Sequence, residues 1–248
     1  MNYIIYDLEF NQKSSDIKEI KTNKNSNLPF EIIQIGALKL NENFETLSTF
    51  NALIKPTLYN TVHPYVERLT KITDDKIKSC KLFPDVYNDF IEFIGDDEII
   101  LCVWGTVDIK ELLRNIRFHN LSTSLISKYY IDIQQYASKY LNAPKRTKIG
   151  LKNAVELLNI SINNGEFHDA FNDAYYTTEV FKKIYDNNIK PKLYTHTPNK
   201  RVSQPKEKID MDSLITQFEK MYNREMSDEE KSIIKTAYMM GRTKQFIL

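Results

Sequence analysis

Met1-Asn2-Tyr3-Ile4-Ile5-Tyr6-Asp7-Leu8-Glu9-Phe10 opens the chain, and the rest of the sequence is best read outward from it. Tyr3 to Tyr6 is a run of aromatic and β-branched residues, the composition of a buried strand, and it ends abruptly in two carboxylates. Side chains alternate along a strand, so Asp7 and Glu9 point to one face with only Leu8 between them. Two acids side by side repel each other unless a cation sits between them. Taken alone, the stretch fits a solvated strand end better than half of a divalent-metal site. Further acids and a base, suitably spaced, would reverse that balance.

Composition sets the outer limits. The chain has 248 residues, 42% hydrophobic and 12% aromatic, enough for one large domain or a domain with an appendage. No apolar run approaches membrane-spanning length, and the N-terminus lacks a basic region and a signal-type cleavage site, so a soluble cytoplasmic protein is expected. Cys80 and Cys102 are isolated in apolar surroundings, which predicts free buried thiols rather than zinc or redox chemistry. A formal net charge of +1 creates no strong overall field for nucleic acid, so such a partner must be held locally, by basic patches or by metal.

Asn11 to Pro29 is polar and reads as a loop beside the strand end, either a flap over a site or, more commonly, an inert insertion. Phe30 to Leu40 and Phe44 to Lys55 read as two strands joined around Asn41-Glu42-Asn43, completing an antiparallel meander. Short helical pieces follow Pro56, and Pro84 opens a helix through Ile94 with Val86, Phe90, Phe93 and Ile94 at helical spacing. Glu98 to Trp104 is an almost unbroken apolar run, the type buried on both faces of a parallel sheet. It leads through Gly105-Thr106-Val107 to Asp108, a third acid just beyond a strand's C-terminal end, where α/β sheets commonly place their chemistry. By itself Asp108 reads as an ordinary helix-start acid. Lys128 to Ile133 supplies a fifth strand, followed by a helix to about Leu141, a basic loop at Lys145, Arg146 and Lys148, and a helix over Leu151 to Leu158.

In Gly165-Glu166-Phe167-His168-Asp169-Ala170-Phe171-Asn172-Asp173, a periodic run from Ala170 through Ile184 predicts a helix entered from the Asn163-Asn164-Gly165 turn. Five helical positions rotate well over a quarter turn beyond a full circle, so His168 and Asp173 cannot share a face of one regular helix. His168 is therefore placed on the entering loop, with Asp173 one turn into the helix. Asp169 is expected to do no more than suit the helix dipole.

Together, Asp7-x-Glu9, Trp104-Gly105-x-x-Asp108 and His168-x-x-x-x-Asp173 resemble the three motifs of the DEDDh 3′-to-5′ exonucleases of the ribonuclease H-like superfamily. Leu69-Thr70-Lys71-Ile72-Thr73 is similar to a Leu-Thr-Gly-Ile-Thr segment common there, with Lys71 in place of the usual glycine, and Asp7-Leu8-Glu9-Phe10-Asn11-Gln12 is close to bacterial members. The resemblance covers residues 1 to about 188 and implies a mixed five-stranded sheet flanked by helices. It implies two divalent ions, Mg²⁺ or Mn²⁺, roughly 4 Å apart, a spacing suited to phosphodiester hydrolysis. Asp7, Glu9, Asp108 and Asp173 would be the ligands: Asp7 bridging, Glu9 and Asp173 on the nucleophile side, Asp108 on the second ion. His168 would be the general base, since an imidazole can take a proton from water near neutral pH. Phe10 and Ile72 sit where family members pack against terminal bases, although for Ile72 core packing is an equal alternative. Trp104 is expected as core beneath the site.

Ile189 to Ile209 carries Pro191, Pro198 and Pro205 among lysines and an arginine, and reads as a basic linker over 189–210, either a nucleic-acid arm or a plain tether. Residues 211–248 then form a two-helix extension: Leu214, Ile215, Phe218, Met221 and Tyr222 repeat at helical spacing, and Ser227-Asp228-Glu229-Glu230 matches a capping box before a second helix. Two short amphipathic helices must bury their apolar faces, by docking on the exonuclease domain or, alternatively, on a partner protein or a second copy. The expected activity is removal of nucleoside 5′-monophosphates from a single-stranded 3′ end, RNA slightly before DNA by analogy with RNA-processing members. Two other classes stand beside it: a non-catalytic nucleic-acid-binding or regulatory protein on a nuclease fold, and a phosphoesterase acting on small nucleotides. Four converging carboxylates argue against the first, which has no need of them.

Overall fold

The computed structural model describes residues 1–13, 28–144, 147–162, 166–195 and 210–242. In chain order the elements are β1 (Asn2–Gln12), β2 (Phe30–Leu40), β3 (Thr46–Leu53), α1 (Pro64–Thr70), α2 (Asp74–Ile77), α3 (Phe83–Ile94), β4 (Ile99–Val103), α4 (Val107–Phe118), β5 (Tyr129–Asp132), α5 (Ile133–Tyr140), α6 (Leu151–Leu157), α7 (Ala170–Ile184), β6 (Lys192–Leu193), α8 (Met211–Tyr222) and α9 (Asp228–Arg242). Among the described residues the sheet has six strands in the order β3-β2-β1-β4-β5-β6. β1, β2 and β3 form the antiparallel meander, β4 and β5 join β1 in parallel, and β6 closes the edge antiparallel to β5. The mixed sheet flanked by helices is as the sequence implied, with the two-residue β6 as an addition too short for any periodicity to announce.

Chain proximity divides the protein into two compact units, Met1–Thr195 and His196–Leu248. Composition assigned residues 189–195 to the linker, but they pack with the first unit. Ile189 is 5% exposed in a core cluster, and Leu193 and Lys192 pair with Tyr129 and Tyr130. Most of the expected linker, residues 196–209, lies outside the described residues, as do residues 14–27 of the expected loop and the Asn163-Asn164-Gly165 turn. In the second unit the capping box forms: Ser227 Oγ accepts from Glu230 N at 3.2 Å, and Ser227 N donates to Glu230 Oε2 at 2.9 Å. Ile215 and Met226 are buried there, while Met221, Tyr222 and Ile233 are exposed. No helix among the described residues is long and apolar enough to cross a membrane.

Alternation along β1 builds the two sides of the core. Ile4, Tyr6 and Leu8 enter a cluster with Phe90 of α3 and Ile109, Leu112 and Ile116 of α4. Tyr3 and Ile5 enter the opposite cluster with Ala174, Val180 and Phe181 of α7 and Ala154 of α6. Asp7 and Glu9 continue the second series, so both lie on the side covered by α7.

Helix α7 approaches the sheet unusually closely. A Cβ on Gly36, the β2 residue paired with Asp7, would overlap the backbone of Ala170 and Phe171. The lone glycine of β2 therefore marks a point where helix backbone lies directly on strand backbone. Beside it, Gln34 is 2% exposed and acts as a clasp: its Nε2 donates to Asp169 Oδ2 at 2.9 Å and to Asn51 Oδ1 at 3.1 Å, and its Oε1 accepts from Ala170 N at 3.2 Å.

The far end of β1 is fixed by buried polar groups. Asn11 accepts from His63 N at 2.9 Å and donates to Thr61 O at 2.9 Å, and the Glu31 carboxylate accepts from the backbone N–H groups of Leu58 and Tyr59. Between the pairs Glu9↔Gln34 and Phe10↔Ile32 the register shifts, and Ile33, the extra residue on β2, drops into a small cluster with Val62, Val66, Ile72 and Ile77.

Because the overlap at Gly36 is with backbone, no rotamer change relieves it. Gly36→Ala is expected to lower unfolding free energy by about 1–3 kcal/mol, read from denaturant midpoints. It is also expected to displace the start of α7, read as faster amide exchange over 168–173.

Candidate active site

β1 outruns its parallel neighbour. The last β1–β4 pair is Ile5↔Cys102 and β4 ends at Val103, so among the described residues Asp7 and Glu9 have β2 on one side and no strand on the other. The chain leaves β4 through Gly105, whose φ of +90° disfavours other residues, and enters α4 with Asp108 in the first turn and 7% exposed. The third acid therefore arrives at the same strand end from a different element, as its position in the sequence suggested.

α7 brings the remaining two groups. His168 lies outside the helix with φ +68°, and its backbone N–H donates to Asp173 Oδ2 at 3.2 Å, closing the entering loop onto the first turn. Asp169 is the N-cap residue itself rather than a first-turn acid: its Oδ1 accepts from Phe171 N and Asn172 N at 3.1 Å, and its other oxygen takes the bond from Gln34. Glu9, His168 and Asp173 each offer one ligand atom in a group whose members all lie within 4.8 Å of one another.

Electrostatics tie Asp7 and Asp108 to this group. Burial, then the charges of Asp108, Asp173 and Glu9, holds Asp7 well above the ordinary carboxylate range. Burial, then Asp173 and Asp108, pushes Glu9 up to about 8. Asp108 is raised to about 7, chiefly by burial, against the help of its own backbone N–H. Asp173 is raised to about 6 by burial, although the His168 N–H opposes the shift. Asp173 Oδ1 is buried and has no hydrogen-bond partner. Four carboxylates that repel one another around a bare oxygen fit a hard divalent cation, whose charge would cancel the repulsion and whose preference is for oxygen donors.

The other expected site residues fare differently. Ile72 is 4% exposed within the cluster under α1, so it is core and presents no face to a base. Phe10 is half-buried, packed on the α3–α4 side against Phe30 at a ring separation of 6.1 Å. Trp104 packs against the α7 side of the core. Lys71 takes φ +59° as the residue that closes α1, a conformation glycine adopts without steric cost, which accounts physically for the glycine of the resembling segment. Lys148 is paired with Asp132 at 3.1 Å, and Lys145 and Arg146 lie outside the described residues. Gln34 and Gly36 belong to the site's framework and were not singled out by sequence, although a glycine and a glutamine interrupting Ile32-Ile33-Gln34-Ile35-Gly36-Ala37 are the available signal.

A mixed sheet with acids gathered where β1 outruns β4, and a histidine on the loop entering the last helix, defines a metal-dependent nuclease of the ribonuclease H-like fold. The family model described as Exonuclease matches residues 4–181, and the chain belongs to that family as a DEDDh-type 3′-to-5′ exonuclease. Members of this type depend on divalent metal. The chain is 24% identical over 155 residues to the probable 3′-5′ exonuclease KapD of Bacillus subtilis, covering 62% of this chain and 73% of that protein. Its fold is similar to the nuclease domain of 3′hExo, a DEDDh family member solved bound to rAMP (TM-score 0.64, 19% identity, 78% of this chain and 96% of that one). It is also similar to E. coli exonuclease I in complex with a dT13 oligonucleotide (TM-score 0.56, 15% identity, 74% of this chain and 40% of that one).

The raised carboxylates fix a sign. Below about pH 4 the unfolded chain's acids are protonated as well and the site costs little. As pH rises from there to about 8, the folded metal-free protein still holds protons that the unfolded chain has released, so stability is lost across that window. The metal-free melting temperature of wild type is expected to fall between pH 5 and pH 8 more steeply than that of Glu9→Gln. Mg²⁺ or Mn²⁺ is expected to raise it more at pH 8 than at pH 5, both read by calorimetry.

Proposed function

We propose that the protein hydrolyses single-stranded nucleic acid one nucleotide at a time from the 3′ end, releasing nucleoside 5′-monophosphates, with RNA slightly preferred over DNA. The observation that carries this reading is the meeting of Glu9, His168 and Asp173 within 4.8 Å, beside Asp7 and Asp108. Asp7, Glu9 and Asp173 would hold one Mg²⁺ or Mn²⁺ ion, and Asp7 with Asp108 a second. Such ions supply an activated water, charge stabilisation on the phosphate and neutralisation of the departing 3′ oxygen.

The chain's own groups do the rest. His168 is the general base: it sits outside the helix, held by its backbone N–H to Asp173, so the imidazole can face the Glu9–Asp173 edge and accept the proton of the attacking water. The His168 N–H favours the charged form of Asp173, and a cation held there would favour it further. The Gln34–Asp169 clasp keeps both groups in register with β1. The preference for RNA rests on analogy, supported by the rAMP bound to one structural neighbour, while another holds a dT oligonucleotide.

Because a His168 ring nitrogen falls within the same group of ligand atoms, a role as metal ligand is the competing assignment. The two separate cleanly. On 5′-labelled RNA and DNA of equal sequence, wild type with Mn²⁺ is expected to give a ladder shortening by one nucleotide, abolished by EDTA and by Asp7→Ala. His168→Ala is expected to lower the rate by about 10²–10⁴ with Mn²⁺ affinity retained. Loss of Mn²⁺ binding in His168→Ala would make it a ligand, and no cleavage by folded, metal-loaded wild type would remove the exonuclease assignment.

A further inference from the structure

Gln34 stands opposite Glu9 in the β1–β2 ladder, so the two side chains leave the sheet on one face, the face that meets the start of α7. The Gln34 amide is engaged at both ends. Its Nε2 donates to Asp169 Oδ2 at 2.9 Å and to Asn51 Oδ1 at 3.1 Å, and its Oε1 accepts from Ala170 N at 3.2 Å. Only this orientation satisfies the site, because the Ala170 N–H needs an acceptor and the Asp169 carboxylate needs a donor. A residue keyed by its backbone to Glu9 is thus tied by its side chain to the residue that follows His168.

What the amide holds is a strained corner. His168 has φ +68°, in the left-handed region that residues with a side chain seldom adopt and keep only when their surroundings hold them there. On one side the His168 N–H donates to Asp173 Oδ2 at 3.2 Å. On the other, Asp169 caps α7 through Oδ1, which accepts from Phe171 N and Asn172 N at 3.1 Å, while Oδ2 takes the bond from Gln34. Further along, α7 is seated by the apolar side chains of Ala174, Val180 and Phe181. The Gln34 amide therefore bears on the His168–Asp169 corner more than on Asp173, one turn into the helix.

We propose that Gln34 is a positioning residue for hydrolysis: through Asp169 it holds the His168 corner at a fixed distance from Glu9, so the donor it supplies governs proton transfer more than metal binding. This rests on the assignment of His168 as general base made above. Gln34→Glu keeps an acceptor for the Ala170 N–H but sets one carboxylate against another at Asp169. Asp169→Asn alone sets two amide donors against each other. Together the two substitutions restore the bond with its polarity reversed, since the asparagine amide donates while its oxygen keeps both capping bonds, and asparagine is among the best N-cap residues.

The test compares full-length wild type, Gln34→Glu, Asp169→Asn, the double variant and His168→Ala by kcat and KM on the labelled oligonucleotides and by Mn²⁺ titration calorimetry, at a temperature where circular dichroism shows each one folded. Each clasp variant is expected to lose about 10–100-fold in kcat, the cost of misplacing a catalytic group by about 1 Å, with KM and Mn²⁺ affinity close to wild type. The double variant is expected to regain most of that loss, a coupling that two independent defects would not show. If Gln34→Glu does not fold, Asp169→Asn, at a half-buried position, carries the comparison with the double variant. Wild-type kcat in the folded single variants makes the clasp structural only and overturns the proposal. So does a double variant no faster than the slower single one, or an Mn²⁺ affinity that falls in step with kcat, which would put Asp173 rather than His168 under the control of the clasp. A wild-type rate in His168→Ala removes the general-base assignment and this role with it.

Discussion

The contact of helix backbone with strand backbone at Gly36 is the constraint on which the site depends. Asp7 is the ladder partner of Gly36, and the first residues of α7 rest where a glycine side chain is missing. Any side chain there would hold the helix off the sheet and carry Asp173 and His168 away from the strand that bears Asp7 and Glu9. Steric contact sets the distance, and hydrogen bonding sets the register. Gln34 satisfies Asp169, the cap of α7, and the Ala170 N–H together, so the helix can neither slide nor rotate without stranding buried polar groups.

That docking brings like charges together, and the fold absorbs the cost elsewhere. Four acids with raised pKa values share one strand end, and the partners that stabilise them are few: a His168 N–H on Asp173, the N–H of Asp108 itself at the start of α4, and the Leu8 N–H on Asp7. By contrast, Glu31, away from the site, is satisfied by three successive residues of the 57–59 loop. The protein can pair buried carboxylates thoroughly, and at the β1 terminus it does not. An electrostatic deficit confined to one place is the physical signature of a site made for a cation, with binding of that cation returning the stability that the metal-free protein lacks.

The two faces of β1 divide the labour. The Asp7–Glu9 face meets α7 and carries the acids, while the Ile4–Tyr6–Leu8 face meets α3 and α4 and enters one of the two large apolar clusters. α4 belongs structurally to the second face yet delivers Asp108 to the site from its first turn. Its other end is pinned by Asn115, which accepts from Ile32 N and donates to Phe30 O. The helix that supplies the third acid is thereby tied to the start of β2, the strand against which α7 docks.

Local chemistry made much of this legible in the sequence alone. The alternation of Tyr3 to Glu9, the apolar run of β4, the helical spacing of α3 and α7 and the Ser227–Glu230 capping box are settled by neighbours within a few residues, and each forms where the pattern placed it. The rotation argument that put His168 outside α7 succeeded for the same reason. What the sequence left open depends on partners far apart in the chain. Gln34 and Asp169 are separated by 135 residues, and no local period relates them. Ile72 has the same composition whether it faces a nucleotide or a core, and its packing with Ile33, Val62, Val66 and Ile77 makes it core. β6 is strand only because β5 offers it an edge. Periodicity and capping fix which elements form, because they act along the backbone. The carboxylate set and the glycine seat beneath α7 took their meaning from close approach across the sheet, which only the folded chain supplies.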